Sequence, residues 1–219
     1  MMIEIIFDVI CPWCYIGARR LSRLLMEKTS LPSPTLHWRP FILNPEIGPE
    51  GVPRGRYLEG KFGATSRIEK ILSGQEKAGA IEGIHFNFSS ISIAPNSTDA
   101  HRLICYAQHY GVASEFIFVL FRAYFEEALN IGDRLILLDI ATNFGFPRHE
   151  VQFILEDPKT LSRILFENMT THRMNITGIP CFIFNKKYAI SGAQDLSILE
   201  RMLGIALEGS LMDPMTPPK

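Results

Sequence analysis

Short unbroken apolar runs lie toward the two ends of the chain, and between them apolar positions recur at intervals of three and four. Ile3 to Val9 is β-branched and aromatic apart from Glu4 and Asp8, and reads as a buried strand. Pro12 suits the first turn of a helix, and Ile16, Leu21, Leu24 and Leu25 continue it at helical spacing as far as Lys28, before Pro32 and Pro34 stop it. Thr35 to Phe41 alternates as a second strand. Two strands joined through a helix predict a right-handed crossover and parallel pairing.

Asn44 to Gly55 is rich in Pro and Gly and reads as a linker or loop. From Arg56 to Asn175 the pattern is mostly helical, with helices expected over Ser66–Gly79, Ser97–Tyr110, Ala113–Leu129, Gly132–Phe144, His149–Leu155 and Pro158–Met174. Phe116–Phe121 could stand as a short buried strand, but its flanks favour helix. Pro180–Phe184 and Tyr188–Ser191 read as a hairpin around Asn185, Lys186 and Lys187, and a final helix follows from about Asp195 to Leu207. The tail 210–219 is expected to have no fold of its own. The order is β-α-β, a helical block, then β-β-α, an α/β class.

Composition narrows the classes. The 219 residues are 47% hydrophobic, 21% charged and 11% aromatic, which fits a globule with a sizeable core. Twenty-two basic against twenty-three acidic residues give a net charge of −1, so no basic stripe is expected for nucleic acid or an anionic membrane. No apolar run approaches the roughly 20 residues of a membrane span. The start has no positively charged segment before its apolar stretch, so a strand is expected there rather than a signal peptide, and with it a cytoplasmic location. Four cysteines are too few for a disulfide scaffold.

Two of them, Cys11 and Cys14, form C-P-W-C between the first strand and its helix. A cysteine at a helix N-terminus faces free N–H groups and the positive end of the helix dipole, which can lower a thiol pKa from ~8.5 to around 3.5–7. Cys11 is then the nucleophile and Cys14, one turn along, the resolving thiol. Pro12 gives up an N–H the helix cannot use, and Trp13 makes the rim apolar. Half of a zinc site is the competing reading, but zinc normally wants a second close pair, and Cys105 and Cys181 are singletons, so no metal is expected. Gly178-Ile179-Pro180 opens a strand. Pro180 is a candidate for a cis bond, although sequence physics alone favours an ordinary trans edge proline. Of the six histidines none pairs at i, i+4, and His101 is expected to be structural or on the surface. Asp8 either orients the cysteine loop or acts in proton transfer, or it is a hydrogen-bonded structural carboxylate. Gln194 and Asp195 cap the last helix or hold an α-amino group there.

The strand–CPWC–helix start and the segment GIPCFIFNKKYAISGAQ resemble the DsbA family of thioredoxin-fold oxidoreductases. FDVICPWCYIG, WRPFILNPEIGPEG and PNSTDAHRL narrow the resemblance to its FrnE-like branch. The resemblance implies a thioredoxin-like fold, residues 1–50 and 175–219, interrupted by an all-helical insertion over 51–174. It implies a cis Pro180 packed beside the cysteine pair, with Ile179 offering backbone hydrogen bonds to an extended substrate. Kappa-class glutathione transferases and 2-hydroxychromene-2-carboxylate isomerases are relatives that carry serine at the first cysteine. In the glutathione-using relatives the corner that Gln194 and Asp195 form receives the γ-glutamyl end. Cys181 departs from the expected apolar or hydroxyl residue after the proline; both it and Cys105 are expected in the core, the alternative for Cys181 being a third thiol close enough to the active pair to be oxidised. The expected activity is thiol–disulfide exchange on protein or small-molecule disulfides, with no bound cofactor and glutathione as a possible co-substrate. A glutathione-dependent isomerase or transferase is the second class and a non-catalytic binding module the third. Monomer and homodimer both stay open.

Overall fold

The computed structural model describes residues 1–28, 33–176 and 178–211, without the side chains of 210 and 211. β1 (Met2–Phe7) is an inner strand, and residues 3–7 are all buried, Glu4 through its pair with Arg39 at 3.2 Å, which explains a mostly apolar run rather than an alternating one. The four-stranded sheet runs β2-β1-β5-β6, with β2 (Thr35–Pro40), β5 (Cys181–Phe184) and β6 (Tyr188–Ser191). β1 pairs β2 in parallel across the connecting helix α1 (Pro12–Glu27), and β5 pairs both β1 and β6 antiparallel. Asn185 and Lys186 turn the hairpin with φ of 50° and 58°.

The pleat divides the side chains between two faces. Ile3, Ile5, Phe7, Phe182 and Phe184 join the main core with α1 and with α9 (Leu196–Leu211), whereas Ile6, Cys181 and Ile183 form a second cluster under Phe41, Ile176 and Ile179. Cys181 is thus a core residue, as expected. Burial pushes its thiol up, and Ser191 hydrogen-bonds it.

Between β2 and β5 the chain forms α2 (Arg54–Phe62), α3 (Thr65–Ile81), α4 (Thr98–His109), α5 (Ala113–Phe125), α6 (Arg134–Phe144), α7 (Arg148–Glu156) and α8 (Pro158–His172). This block covers the edge strand β2: Gln108 Oε1 accepts the Trp38 N–H at 2.7 Å, and Trp38 Nε1 donates to Ser114 Oγ at 3.0 Å. It also shares the main core, because Tyr15 of α1 stacks on Phe121 with ring centroids 4.8 Å apart. Fully buried Phe116, Phe121 and Phe125 each contribute roughly 2–3 kcal/mol of apolar burial.

The expected elements differ from the observed ones at identifiable places. The block is not wholly helical: β3 (Val52–Pro53) and β4 (Ile93–Ala94) form a short antiparallel ladder inside it. The proline- and glycine-rich stretch does not run as loop to Gly55, since α2 begins at Arg54. Gly55 and Gly60 weaken its helical signal and none of its residues is fully buried, so no apolar stripe marks it. The helix expected to reach Leu129 ends at Phe125, and the chain then turns through Ala128 with φ 57° and no glycine or proline to mark the break. The last helix continues past Leu207 to Leu211. Of the expected structureless tail, 212–219 lies outside the described residues, as does Pro32.

Candidate active site

Cys11 is the N-cap of α1. Its backbone is extended, with φ −97° and ψ 113°, and its carbonyl accepts the N–H groups of Cys14 at 3.0 Å and Tyr15 at 3.3 Å. Pro12 occupies the first helical position, where a missing N–H costs nothing. The Cys11 N–H is held by the carbonyl of Asp8 at 3.1 Å. Cys11 keeps 6% of its surface exposed and Cys14 only 1%, with Trp13 at the rim at 39%. The Cys14 thiol hydrogen-bonds the Cys11 sulfur. Burial first and Cys11 second push the Cys14 thiol well above its usual range.

Behind the pair lies Asp8, fully buried at the end of β1. Oδ2 accepts the Leu43 N–H at 2.8 Å and Oδ1 the Ile10 N–H at 3.4 Å, and a backbone hydrogen bond links Asp8 to the Cys14 sulfur. Its third side-chain partner is His101 of α4, with Nε2 3.2 Å from Oδ1. His101 is itself 1% exposed and set edge-on to Phe7, while its Nδ1 has no partner among the described residues. Asp8 is therefore both a hydrogen-bonded structural carboxylate and the anchor of the cysteine loop. His101 takes the expected structural role, in the interior and not on the surface. No spacing in the sequence could signal the pair, because 93 residues separate them.

The Ile179–Pro180 bond is cis. Pro180 comes down on α1 at Gly17, where a Cβ would lie 2.8 Å from Pro180 Cγ and 3.2 Å from Phe182 Cζ, so no larger residue admits the loop. Beside Cys11, α2 and α3 enclose a cavity of about 400 Å³ whose wall includes Pro12, Trp13, Ile179, Arg54, Gln75 and Tyr124. Burial pushes the Tyr124 hydroxyl up, so it is a neutral donor, and it reaches the Ile93 carbonyl at 3.3 Å. The wall residues of α2 and α3 were not singled out from the sequence; polar residues at helical spacing, such as Arg54, Lys61 and Gln75, look like a solvated face whatever their burial.

Gln194 and Asp195 are not in that wall. Gln194 Nε2 donates to the Ser191 carbonyl at 2.7 Å, and Asp195 Oδ1 pairs with Arg20 Nη1 at 3.0 Å, next to Gly192, whose N–H is bound by the Pro180 carbonyl at 2.7 Å. Cys105 is half-buried on α4 rather than fully in the core, its thiol pushed up by burial. Among the described residues no cluster of His, Cys, Asp or Glu could hold a metal ion, and no helix is long and apolar enough to cross a membrane.

Known proteins share this architecture. The chain is 26% identical over 207 residues to the uncharacterized protein YwbO of Bacillus subtilis, covering 92% of this chain and 94% of YwbO. The crystal structure of the probable DsbA oxidoreductase SCO1869 from Streptomyces coelicolor superposes with a TM-score of 0.88 at 24% identity, over 100% of this chain and 93% of that one. A 2-hydroxychromene-2-carboxylate isomerase gives 0.72 at 17% identity, over 97% and 100%. The cytosolic disulfide reductase DsbM from Pseudomonas aeruginosa, solved with GSH, gives 0.64 at 17%, over 93% and 100%. These likenesses establish the thioredoxin-like α/β fold. The profile of the DSBA-like thioredoxin domain matches residues 2–204, nearly the whole sequence, and the chain belongs to that family.

Proposed function

We propose that the protein is a thiol–disulfide oxidoreductase in which Cys11 attacks and Cys14 resolves. The observation that carries this reading is the asymmetry of the pair. Cys11 sits at a helix N-terminus on the wall of a cavity, whereas Cys14 is sealed beneath it and held protonated by burial. The Cys11 thiolate opens a substrate disulfide, forming a mixed disulfide and releasing one thiolate. Cys14 then loses its proton and attacks the Cys11 sulfur, releasing the second thiolate and leaving Cys11–Cys14 oxidised, two electrons in all. Pro12 and Trp13 form the rim, and Ile179 with Pro180 positions the substrate chain.

Substrates are protein or small-molecule disulfides, and glutathione is a candidate co-substrate, a reading supported by the DsbM likeness. Gln194 and Asp195 are the proposed contacts of its γ-glutamyl end, for which Asp195 would share its carboxylate with Arg20. The proposed location is the cytoplasm, and the proposed division is 1–50 with 175–219 against 51–174. A glutathione-dependent isomerase or transferase is the second reading, favoured by the isomerase likeness and by a cavity large enough for a small molecule beside Cys11.

Dithiothreitol-dependent reduction of insulin tests the first reading. Cys14→Ser should accumulate mixed disulfides with substrates and Cys11→Ser should form none and lose activity. Glutathione binding tightly to Cys11→Ser with no turnover in the parent protein would replace it with the second.

A further inference from the structure

The cavity beside Cys11 has a composition that a mere gap between helices does not need. Much of its wall is apolar, with Leu43, Leu58, Phe62, Leu72 and Phe125 around a volume of about 400 Å³, within the roughly 300–1,000 Å³ common for small-molecule sites. Into this wall are set two cations, Arg54 and Lys61, and no carboxylate. Among the described residues neither cation takes part in an ion pair.

Arg54 is half-buried. One of its nitrogens donates to the Phe88 carbonyl at 2.7 Å, its plane lies 5.0 Å from the Phe88 ring centre, and it meets the Tyr124 hydroxyl. A guanidinium has five N–H donors, so these contacts do not exhaust it. Burying such a group without a counter-ion is costly, and the cost falls when an anion joins it. Lys61 Nζ lies at the rim, donating to Tyr57 Oη at 2.7 Å and reaching Asn44 Oδ1 at 3.4 Å. The third feature is Gln75 of α3. It is 6% exposed, lines the cavity, and its Oε1 is buried with no partner among the described residues. An unmet acceptor of this kind calls for an N–H or O–H from whatever fills the space.

We propose that this cavity binds a small disulfide or thiol carrying a carboxylate on an apolar, ring-sized body, with the carboxylate on Arg54 and Lys61 and the sulfur at Cys11. This rests on the exchange reading above and names its substrate class. The planar guanidinium fork matches a carboxylate, and Lys61 adds charge at the entrance. Trp13, Phe62 and Phe125 take the body. The reaction balances as before: the Cys11 thiolate displaces one carboxylated thiolate, and Cys14 displaces the other and forms Cys11–Cys14.

The test compares two aromatic disulfides on the reduced protein by stopped flow: dithiobis-nitrobenzoate, with a carboxylate on each ring, and dithiodipyridine, uncharged at neutral pH. The quantity read is the ratio of their rate constants at Cys11. That ratio should fall by about tenfold in Lys61→Gln and again in Arg54→Gln, the size expected for losing one charge-assisted contact. Lys61→Gln changes an exposed side chain and guards against a folding defect at Arg54. Lys159→Gln, on α8 and outside the cavity wall, should leave the ratio as it was. A ratio that stays within about twofold of the parent in both cavity variants, or that falls equally in Lys159→Gln, overturns the proposal while leaving the exchange chemistry standing. If neither reagent oxidises the pair, it is the exchange reading that fails, and the site is judged in Cys11→Ser by quenching of Trp13 fluorescence. Nitrobenzoate should then quench more strongly than nitrobenzyl alcohol, and Lys61→Gln should remove the difference; equal quenching by the two overturns the site.

Discussion

The buried carboxylate of Asp8 and the buried ring of His101 meet at 3.2 Å directly behind the cysteine pair, joining the end of β1 to α4 of the helical block. The same aspartate holds the Leu43 and Ile10 N–H groups and, through its backbone, the N–H of Cys11. One residue thus ties the cysteine loop to the segment after β2 and to the block. Replacing Asp8 by Ala leaves two partly buried N–H donors and a buried imidazole unmet, and should cost about 2–4 kcal/mol in denaturant unfolding. Asp8→Asn keeps one acceptor and should cost less. Equal, small losses for both would mean that the carboxylate anchors nothing.

Cys14 should resist alkylation across the neutral and mildly alkaline range. Burial, the first cause of its raised pKa, is untouched in Cys11→Ser, so removing the neighbouring sulfur should bring Cys14 reactivity only part of the way down in pH. The sign for stability follows. The folded state favours the protonated thiol, so the group's contribution is complete below the ordinary thiol pKa and is lost as pH rises from there toward the folded value. Mass spectrometry of iodoacetamide-treated protein over a pH series reads the reactivity directly.

Gly17→Ala should destabilise the protein by about 1–3 kcal/mol and lower insulin reduction, because its Cβ would lie 2.8 Å from Pro180 Cγ, a ring atom that cannot swing aside. A melting temperature and activity equal to the parent's would show that the loop moves freely off α1.

Arg20 joins three parts of the molecule. Its Nε binds Glu82 Oε1 at 2.9 Å, and its Nη1 binds the Ala193 carbonyl at 2.7 Å and Asp195 at 3.0 Å. The Glu82 side chain is 3% exposed, and Arg23 is its other cation at 3.2 Å. Arg20→Ala should cost about 3 kcal/mol, the lower end for breaking a buried pair, because Arg23 remains. A loss near zero would place the cluster with ordinary surface pairs.

Asp195 is 77% exposed in its side chain, so its pair with Arg20 is worth at most about 1 kcal/mol. Asp195→Ala should therefore melt close to the parent yet raise the KM for oxidised glutathione several-fold. An unchanged KM would leave the residue as the partner of Arg20 and nothing more.

Only local features are legible in the chain alone. The mostly apolar run Ile3–Phe7 makes a central strand, Cys-Pro-Trp-Cys opens the helix after it, and two short apolar runs around Asn185, Lys186 and Lys187 make β5 and β6 a hairpin, because strand, helix cap and turn are each set by neighbours within a few residues. The tertiary structure decided the partners. It set His101 against Asp8, Glu82 against Arg20, and Arg54 and Gln75 around the cavity beside Cys11. It also made a helix of Arg54–Phe62, whose inner face meets the cavity rather than a packed core. Periodicity records which face of an element is buried, but not what it is buried against; that choice is made only when distant segments exclude water from one another and their buried polar groups must find partners.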